Sequence, residues 1–447
     1  MTHMRPFRTG RAARVALPVV AVILAACSDF LVAENPGAVE EPLVNDVANV
    51  TIIANGPIGT FQDAHDDVAY WNGQFVDEIV NRNGVNPFIE EGQIDRRELY
   101  SDMTYINAFL YGPLQRSRFV ADDAARRLKI ILGDTATRDI RVARSLAYSG
   151  YNYAYLGEMM CATPIDLGVP KTPEEMFADA LTRFEEAITI ATAAKAYLQT
   201  FPTSTANTNA IAATDSVRNF ALVGAARAAL NRNEKTRAVG FATQVPAGFE
   251  FRAYYNGDIN TANRNRTYER LTIGNNGTLQ GTPFEAMTTD PRIPRTTTAG
   301  SARLGTPLSP PSYSSFNNTV AGAAFTSAMW VRIASGLEAR YIVAEADGPT
   351  AATLTFVNER RTAGNQGATA ATGDALMAEL RDQRSRDFYL DNHRLGDLRR
   401  YKKYYNVDLF PKGPYPGSTT GQVYNEAIDC WPLPTNEITG NPNVPKS

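Results

Sequence analysis

Histidine and cysteine are scarce, three of each in 447 residues, and that scarcity removes several chemistries. There is no Cys-x-x-Cys pair and no Cys/His spacing of a zinc site. A Gly-x-Ser-x-Gly elbow, a His-Glu-x-x-His helix and a phosphate-binding Walker loop are likewise missing. Asn256-x-Asp258-x-Asn260 resembles the start of a calcium loop, but Thr261 stands where the turn needs glycine and Thr267 where the closing glutamate belongs. No metal and no cofactor are therefore expected. Neither charge sign is in large excess, with 44 basic against 47 acidic residues, which argues against a nucleic-acid surface. Carboxylates are plentiful, but nothing selects one pair as a glycosidase dyad.

Long apolar runs are also absent beyond the N-terminus. There, Arg5, Arg8, Arg11 and Arg14 precede the run Val15 to Ala26, which ends Leu24-Ala25-Ala26-Cys27. A charged start, a short apolar centre and small residues before the cut give the layout of a signal peptide over 1–26. The run is too short to span hydrocarbon as a permanent helix. Leu-Ala-Ala-Cys is similar to a bacterial lipobox, so Cys27 is the expected lipidation site, followed by a tether over 27–45 that contains Glu34-Asn35-Pro36-Gly37. Four of the basic residues lie in 1–26, leaving 40 against 47 acidic in the mature part. Of the cysteines only Cys161 and Cys430 then remain. An envelope setting permits a disulfide, yet nothing in the sequence brings them together, and the expectation is two free, buried thiols.

What is present is helical periodicity. Residues 50–80 and 102–131 read as helices, the second ending near Leu132-Gly133. In 141–160 a side carrying Ala143, Ala147, Tyr151, Ala154 and Leu156 has small residues that let another helix approach closely. Thr172-Pro173-Glu174-Glu175 is a helix start, with Thr172 as cap, Pro173 at the first position and Glu175 completing a capping box. Ala180, Phe184, Ala187 and Ile188 follow, at the spacing of a tetratricopeptide second helix. Further pairs are read at 216–231 with 234–243 and at 335–346 with 350–362, where Ser335 and Glu338 form a second capping box. Such pairs bury little alone, so stacking must supply the core. Between about 250 and 331 the composition shifts to Asn, Thr, Gly, Pro and Ser, implying turns and short strands. Loops this long in a compact protein are usually functional or disordered.

The stretch Arg384 to Tyr401, RSRDFYLDNHRLGDLRRY, is read as a helix that sets acids and arginines on neighbouring ridges, with Asp387 and Asp391 one i,i+4 step apart. Its order resembles the C-terminal signature of SusD/RagB-like outer-membrane lipoproteins, E-R-x-x-E-[LF]-x-x-E-G-x-R-x-x-D-L-x-R. Arg384, Asp387, Phe388, Asp391, Arg394, Asp397, Leu398 and Arg400 match. Gln383 and Leu395-Gly396 depart from it, and Asn392 replaces a glycine at a position where asparagine tolerates positive φ. The chain closes on WPLPTNEITGNPNV, similar to the family's W-P-[IL]-P-x-x-E-I-x-x-N-P, with Trp431, Pro432, Leu433, Pro434, Glu437, Ile438, Asn441 and Pro442 in register. The resemblance runs from Cys27 onward and is strong over about the last 120 residues.

This resemblance implies a mainly α, SusD-like fold: four degenerate tetratricopeptide-like helix pairs packed against an irregular, loop-rich part with few short strands. One domain over 46–447 is expected, with repeats at about 50–245 and 335–362, the insertion at about 250–331 and the signature at 384–447. Asp387, Asp391, Arg394, Asp397, Arg400, Trp431 and Glu437 would be scaffold, and His393, inside the signature, structural. The resemblance implies a protein that is not an enzyme. It would be lipid-anchored in the outer membrane and surface-exposed, binding an oligosaccharide or peptide for a SusC-like TonB-dependent barrel. Membrane contact would be through the lipid only. Sugar C–H faces stack on aromatic rings while polar groups fix hydroxyls. The loops offer Arg82, Phe88 and Arg97, then Tyr254, Tyr255, Tyr313, Phe316 and Trp330. Of these, Arg82, Phe88, Arg97, Tyr313 and Trp330 are the candidate ligand contacts. Two rival readings are a tetratricopeptide-type envelope scaffold for proteins and a surface glycosidase.

Overall fold

The computed structural model describes residues 45–81, 89–256, 264–273, 277–279, 281–293, 328–416, 418 and 421–446. Residues up to Asn49 form a separate unit, whose described part is a turn running into the short helix Val47–Asn49. From Val50 onward the chain is one unit. It is mainly helical, as read from the sequence. In chain order the long elements are α1 (Val50–Phe75), β1 (Val80–Asn81), α2 (Glu90–Asp95), α3 (Gly112–Leu132), α4 (Ile140–Met159), α5 (Pro173–Leu198), α6 (Thr205–Asn231), α7 (Lys235–Ala242), β2 (Glu250–Ala253), β3 (Gly277–Thr278) and β4 (Val331–Ser335). Then follow α8 (Gly336–Asp347), α9 (Ala351–Ala363), α10 (Gly373–Asp387), α11 (Arg394–Tyr405) and α12 (Thr435–Gly440). A π-helical turn, Ile106–Tyr111, leads into α3. Among the described residues no helix is long and apolar enough to cross a membrane.

Each of α1, α3, α4, α5, α6 and α7 packs on the next, and α8 continues the stack against α6 and α7. Close approach in the middle depends on absent side chains. Phe184 of α5 lies against Gly150 of α4, where a Cβ would fall 2.6 Å from its ring, and closer still against Gly224 of α6. Tyr151 stacks on Phe220 with ring centroids 4.4 Å apart, and Phe220 on Phe251 at 3.9 Å. One continuous apolar core runs through this stack, and a second, smaller cluster around Tyr341, Phe356, Leu380 and Phe388 lies under α8 to α10.

Local signals account for most helix ends. Thr172 and Glu175 make both halves of the capping box at α5. At α8 only one half forms: Ser335 accepts from the Glu338 N–H, while the Glu338 carboxylate is turned inward, 3.1 Å from His393 Nε2. Helix α6 begins at Thr205, eleven residues before the first apolar repeat, because Ser204 caps it and its first turns are exposed and polar. The insertion returns to the stack in short pieces, with β1 antiparallel to β3 and β2 antiparallel to β4.

Two expectations fail. The signature is not one helix: α10 ends at Asp387, Leu390 and Asn392 take positive φ (57° and 64°), and α11 starts at Arg394. Asp387 and Asp391 therefore do not share a helical ridge, although Asn392 does adopt the expected conformation. The cysteines are not free thiols either. Cys161 and Cys430 form a disulfide, Cα–Cα 5.1 Å, at a surface position for Cys161, because the tail returns along the end of α4.

Candidate ligand-binding site

The acid–arginine segment is buried, and its groups face inward from the turn between α10 and α11. Arg360 donates to both Asp387 oxygens (2.8 and 2.7 Å), and the Tyr341 hydroxyl donates to the same carboxylate at 2.5 Å. Burial alone would raise the Asp387 pKa, but Arg360 and Arg292 hold it below the ordinary value. Asp391 accepts from Arg332 at 3.0 Å and lies 2.7 Å from His393 Nδ1. Desolvation disfavours a charged His393, yet Asp391 beside it leaves its pKa raised. Asp397 accepts from Arg384 (2.6 Å) and Arg400 (2.7 Å), which overcome its burial and depress its pKa strongly. Arg400 also grips Glu345 through two bonds (2.8 and 2.9 Å) and Asn231 (2.8 Å). Arg394 reaches across to α1's end, donating to the Val76 carbonyl (2.9 Å) and to Asp77 (3.0 Å).

The tail is tied to the same place. The Trp431 N–H donates to the Met159 carbonyl at 2.8 Å, and its indole donates to Asn72 Oδ1 at 2.8 Å. Asn72 in turn donates to Asn392 Oδ1 at 2.7 Å, so one asparagine on α1 joins tail to signature. Glu437 accepts from Asn441 Nδ2 at 3.0 Å within α12's C-terminal turn. Asp387, Asp391, Asp397, Arg400 and Trp431 are all buried. Buried pairs of this kind are costly to desolvate and strongly destabilising to break singly. Their work is to position elements.

Access to solvent lies elsewhere, at the root of the insertion. Ala253 pairs with Val331, and the next residues out along the two strands are Tyr254 and Trp330. Tyr254 is 59% exposed. Trp330 is half-buried, with the Arg252 guanidinium 3.8 Å from its ring centroid. Arg252 is steadied by Glu250, which accepts from Nε at 3.0 Å and Nη2 at 2.5 Å. An aromatic pair with a polar cation beside it can stack a sugar ring and bond its hydroxyls. A group of acids on α1 holds the neighbouring segment 264–273: Asp63 and Asp67 pair with Arg266, and Asp67 also with Arg270.

Of the ligand contacts read from the sequence, Trp330 is at this platform. Arg97 is fully buried at positive φ (59°), donating to the Pro411 carbonyl at 2.5 Å between the rings of Phe410 and Tyr424. Tyr255 is also buried, its hydroxyl donating to the Gln62 carbonyl at 3.1 Å. Arg82, Phe88, Tyr313, Phe316 and Cys27 lie outside the described residues. Sequence reasoning missed Arg252, for which a charged residue in a four-residue strand gives no signal. It also missed the partners of the signature (Glu158, Arg227, Arg332 and Glu345), which are scattered along the chain.

The SusD family model matches residues 338–446, the stretch from α8 to the tail. A SusD superfamily protein from Bacteroides fragilis superposes with a TM-score of 0.61 at 13% identity, covering 90% of this chain and 99% of that one. The fold is SusD-like. A second SusD superfamily protein, from Bacteroides vulgatus, gives 0.61 at 15% identity, covering 90% and 100%. The surface glycan-binding protein A of Bacteroides thetaiotaomicron, solved with laminarihexaose, gives 0.59 at 13% identity, covering 89% and 98%. No curated protein matches. At these identities the structural likeness establishes the SusD-like fold, and the family match covers the segment that builds the buried network.

Proposed function

We propose that this SusD-like protein is a surface lipoprotein, anchored through Cys27, that binds a nutrient and passes it intact to a TonB-dependent outer-membrane barrel. A glycan is the favoured solute and a peptide the second choice. The observation that carries the reading is the aromatic platform of exposed Tyr254 and half-buried Trp330 with Arg252, on a SusD-like frame whose acid–arginine network is buried. A structural relative solved with laminarihexaose supports the glycan. The reading is binding without turnover: among the described residues the platform supplies stacking and hydroxyl contacts, and its one carboxylate, Glu250, is engaged by Arg252.

Calorimetric titration with laminarihexaose, malto-oligosaccharides and short peptides tests it. Binding should occur with at least one class, chromatography should recover the ligand uncleaved, and Trp330→Ala should weaken affinity about tenfold through loss of stacking. Cleaved ligand would favour a glycosidase, and the same affinity in Trp330→Ala would remove the platform. Mass spectrometry for acyl chains on Cys27 and co-purification of a barrel from outer membranes test the anchor and the partner separately.

A further inference from the structure

A second cleft, of about 320 Å³, opens between the first turn of α5 and the outer face of α11, and shares no residue with the platform. Its charges are mostly spoken for. Lys402 pairs with Asp429 at 2.7 Å, and Lys403 pairs with Glu174. Glu158 is held by Arg227 through two bonds of 2.7 Å. Arg399 differs. Among the described residues its hydrogen-bond acceptors are three carbonyls at the end of α4, those of Gly157 (3.1 Å), Glu158 (2.7 Å) and Met160 (3.1 Å), all reached through Nη1. Among the described residues its Nε and Nη2 have no protein acceptor.

That edge has a known use within this molecule. Arg360 on Asp387, Arg227 on Glu158 and Arg400 on Glu345 each present Nε and Nη2 side by side to one carboxylate. Two parallel N–H bonds match the two carboxylate oxygens in spacing and direction. Arg399 holds the same fork at the wall of a cleft, fixed in place from behind by its Nη1 bonds. Burial also lowers its pKa, whereas carboxylate partners raise those of Arg227 and Arg400. Tyr404 also lines the cleft, half-buried, with Lys403 Nζ 5.1 Å from its ring centroid, a ring on which a small organic body can rest.

We infer that this cleft binds a single carboxylate on a small organic molecule, held bidentately by Arg399 Nε and Nη2 with its carbon frame against Tyr404. Two sources carry that group: a uronic acid sugar and the free C-terminus of a peptide. The site does not rest on the platform, and it would admit acidic solutes that an aromatic platform alone does not select.

The test is titration of the full-length mature protein, followed by protein-detected NMR or calorimetry. The probes are glucuronate and galacturonate, their methyl esters, and one tetrapeptide with a free or an amidated C-terminus. Binding of a uronate but not its ester identifies an acidic sugar, and binding of the free but not the amidated peptide identifies a C-terminus. Arg399→Lys keeps the charge but loses the fork, and should weaken binding at least tenfold. Tyr404→Ala, which leaves the Nη1 bonds intact, should weaken it several-fold and guards against a misfolded Arg399 variant. Esters or amides that bind as well as the acids overturn the inference, as does a wild-type protein that binds neither acid. So does unchanged affinity in a folded Arg399→Lys protein. Trp330→Ala should leave carboxylate binding unaltered, which separates this site from the platform.

Discussion

Glu78 lies wholly inside the protein, next to the Asp77 that Arg394 grips, and its carboxylate accepts the N–H of Leu390 at 3.1 Å. Leu390 is in the left-handed region, strained for a branched side chain, and this bond helps hold it there. Burial pushes the Glu78 pKa up to about 8, aided by Asp391 and Asp77 and opposed by Arg394 and the Leu390 N–H. The folded protein therefore keeps a proton on Glu78 between about pH 4.5 and 8, where the unfolded chain has released it. With fewer protons bound in the unfolded state, stability falls as pH rises through that window, by roughly 1.4 kcal/mol per pH unit at most. Glu78→Gln keeps the acceptor and cannot ionise. Urea unfolding should show variant and wild type alike near pH 4.5, and the variant more stable by about 2–4 kcal/mol at pH 8. A gap that does not widen with pH would mean that Glu78 is ionised in the fold.

Between elements, glycine has opposite meanings at two helix positions. Gly224 lets Phe184 of α5 reach between α4 and α6, whereas Gly59 in α1 is exposed with nothing within 4 Å of an added Cβ. Alanine favours a helix over glycine by about 1 kcal/mol. Gly59→Ala should therefore stabilise by about 0.5–1 kcal/mol. Gly224→Ala should destabilise by about 2–3 kcal/mol, since overpacking outweighs propensity. Equal thermal shifts of one sign in the two variants would show that Phe184 can move aside. The small-residue side of α4 and the start of α5 were legible because each is a local property: a periodicity, a cap, a proline at the first position. The break inside the signature was only half legible. Asn392 announces a left-handed residue, but Leu390 does not, because its conformation is imposed from outside by Glu78 and the packing around it.

At the scale of the whole chain, the SusD-like frame was readable from two short C-terminal patterns, and what they hold together was not. Arg227, Glu158 and Glu345 join the signature from three different helices, and no spacing rule links residues that distant. The platform was legible only in part: Trp330 stands out by its type, Arg252 gains its role by lying over it, and Arg97 has an ordinary loop sequence but a buried position. The disulfide shows the same limit, for Cys161 and Cys430 are 269 residues apart and meet because Trp431 pairs with the end of α4. Closing so long a loop restricts the unfolded chain by about 5–6 kcal/mol in the chain-entropy model. The folded tail, however, keeps its other fasteners, the Trp431 indole on Asn72 and the backbone bonds to Met159 and Cys161. Replacing both cysteines by alanine should therefore lower global stability by about 2–5 kcal/mol without unfolding the protein. Hydrogen exchange should accelerate most over residues 428–446, through local opening of the tail, while the slowest amides of α4 to α6 speed up only by the loss of global stability. Acceleration in α4 to α6 beyond that loss would instead make the disulfide a support of the helix stack itself, and unchanged exchange in the tail would leave the indole and backbone bonds as sufficient anchors.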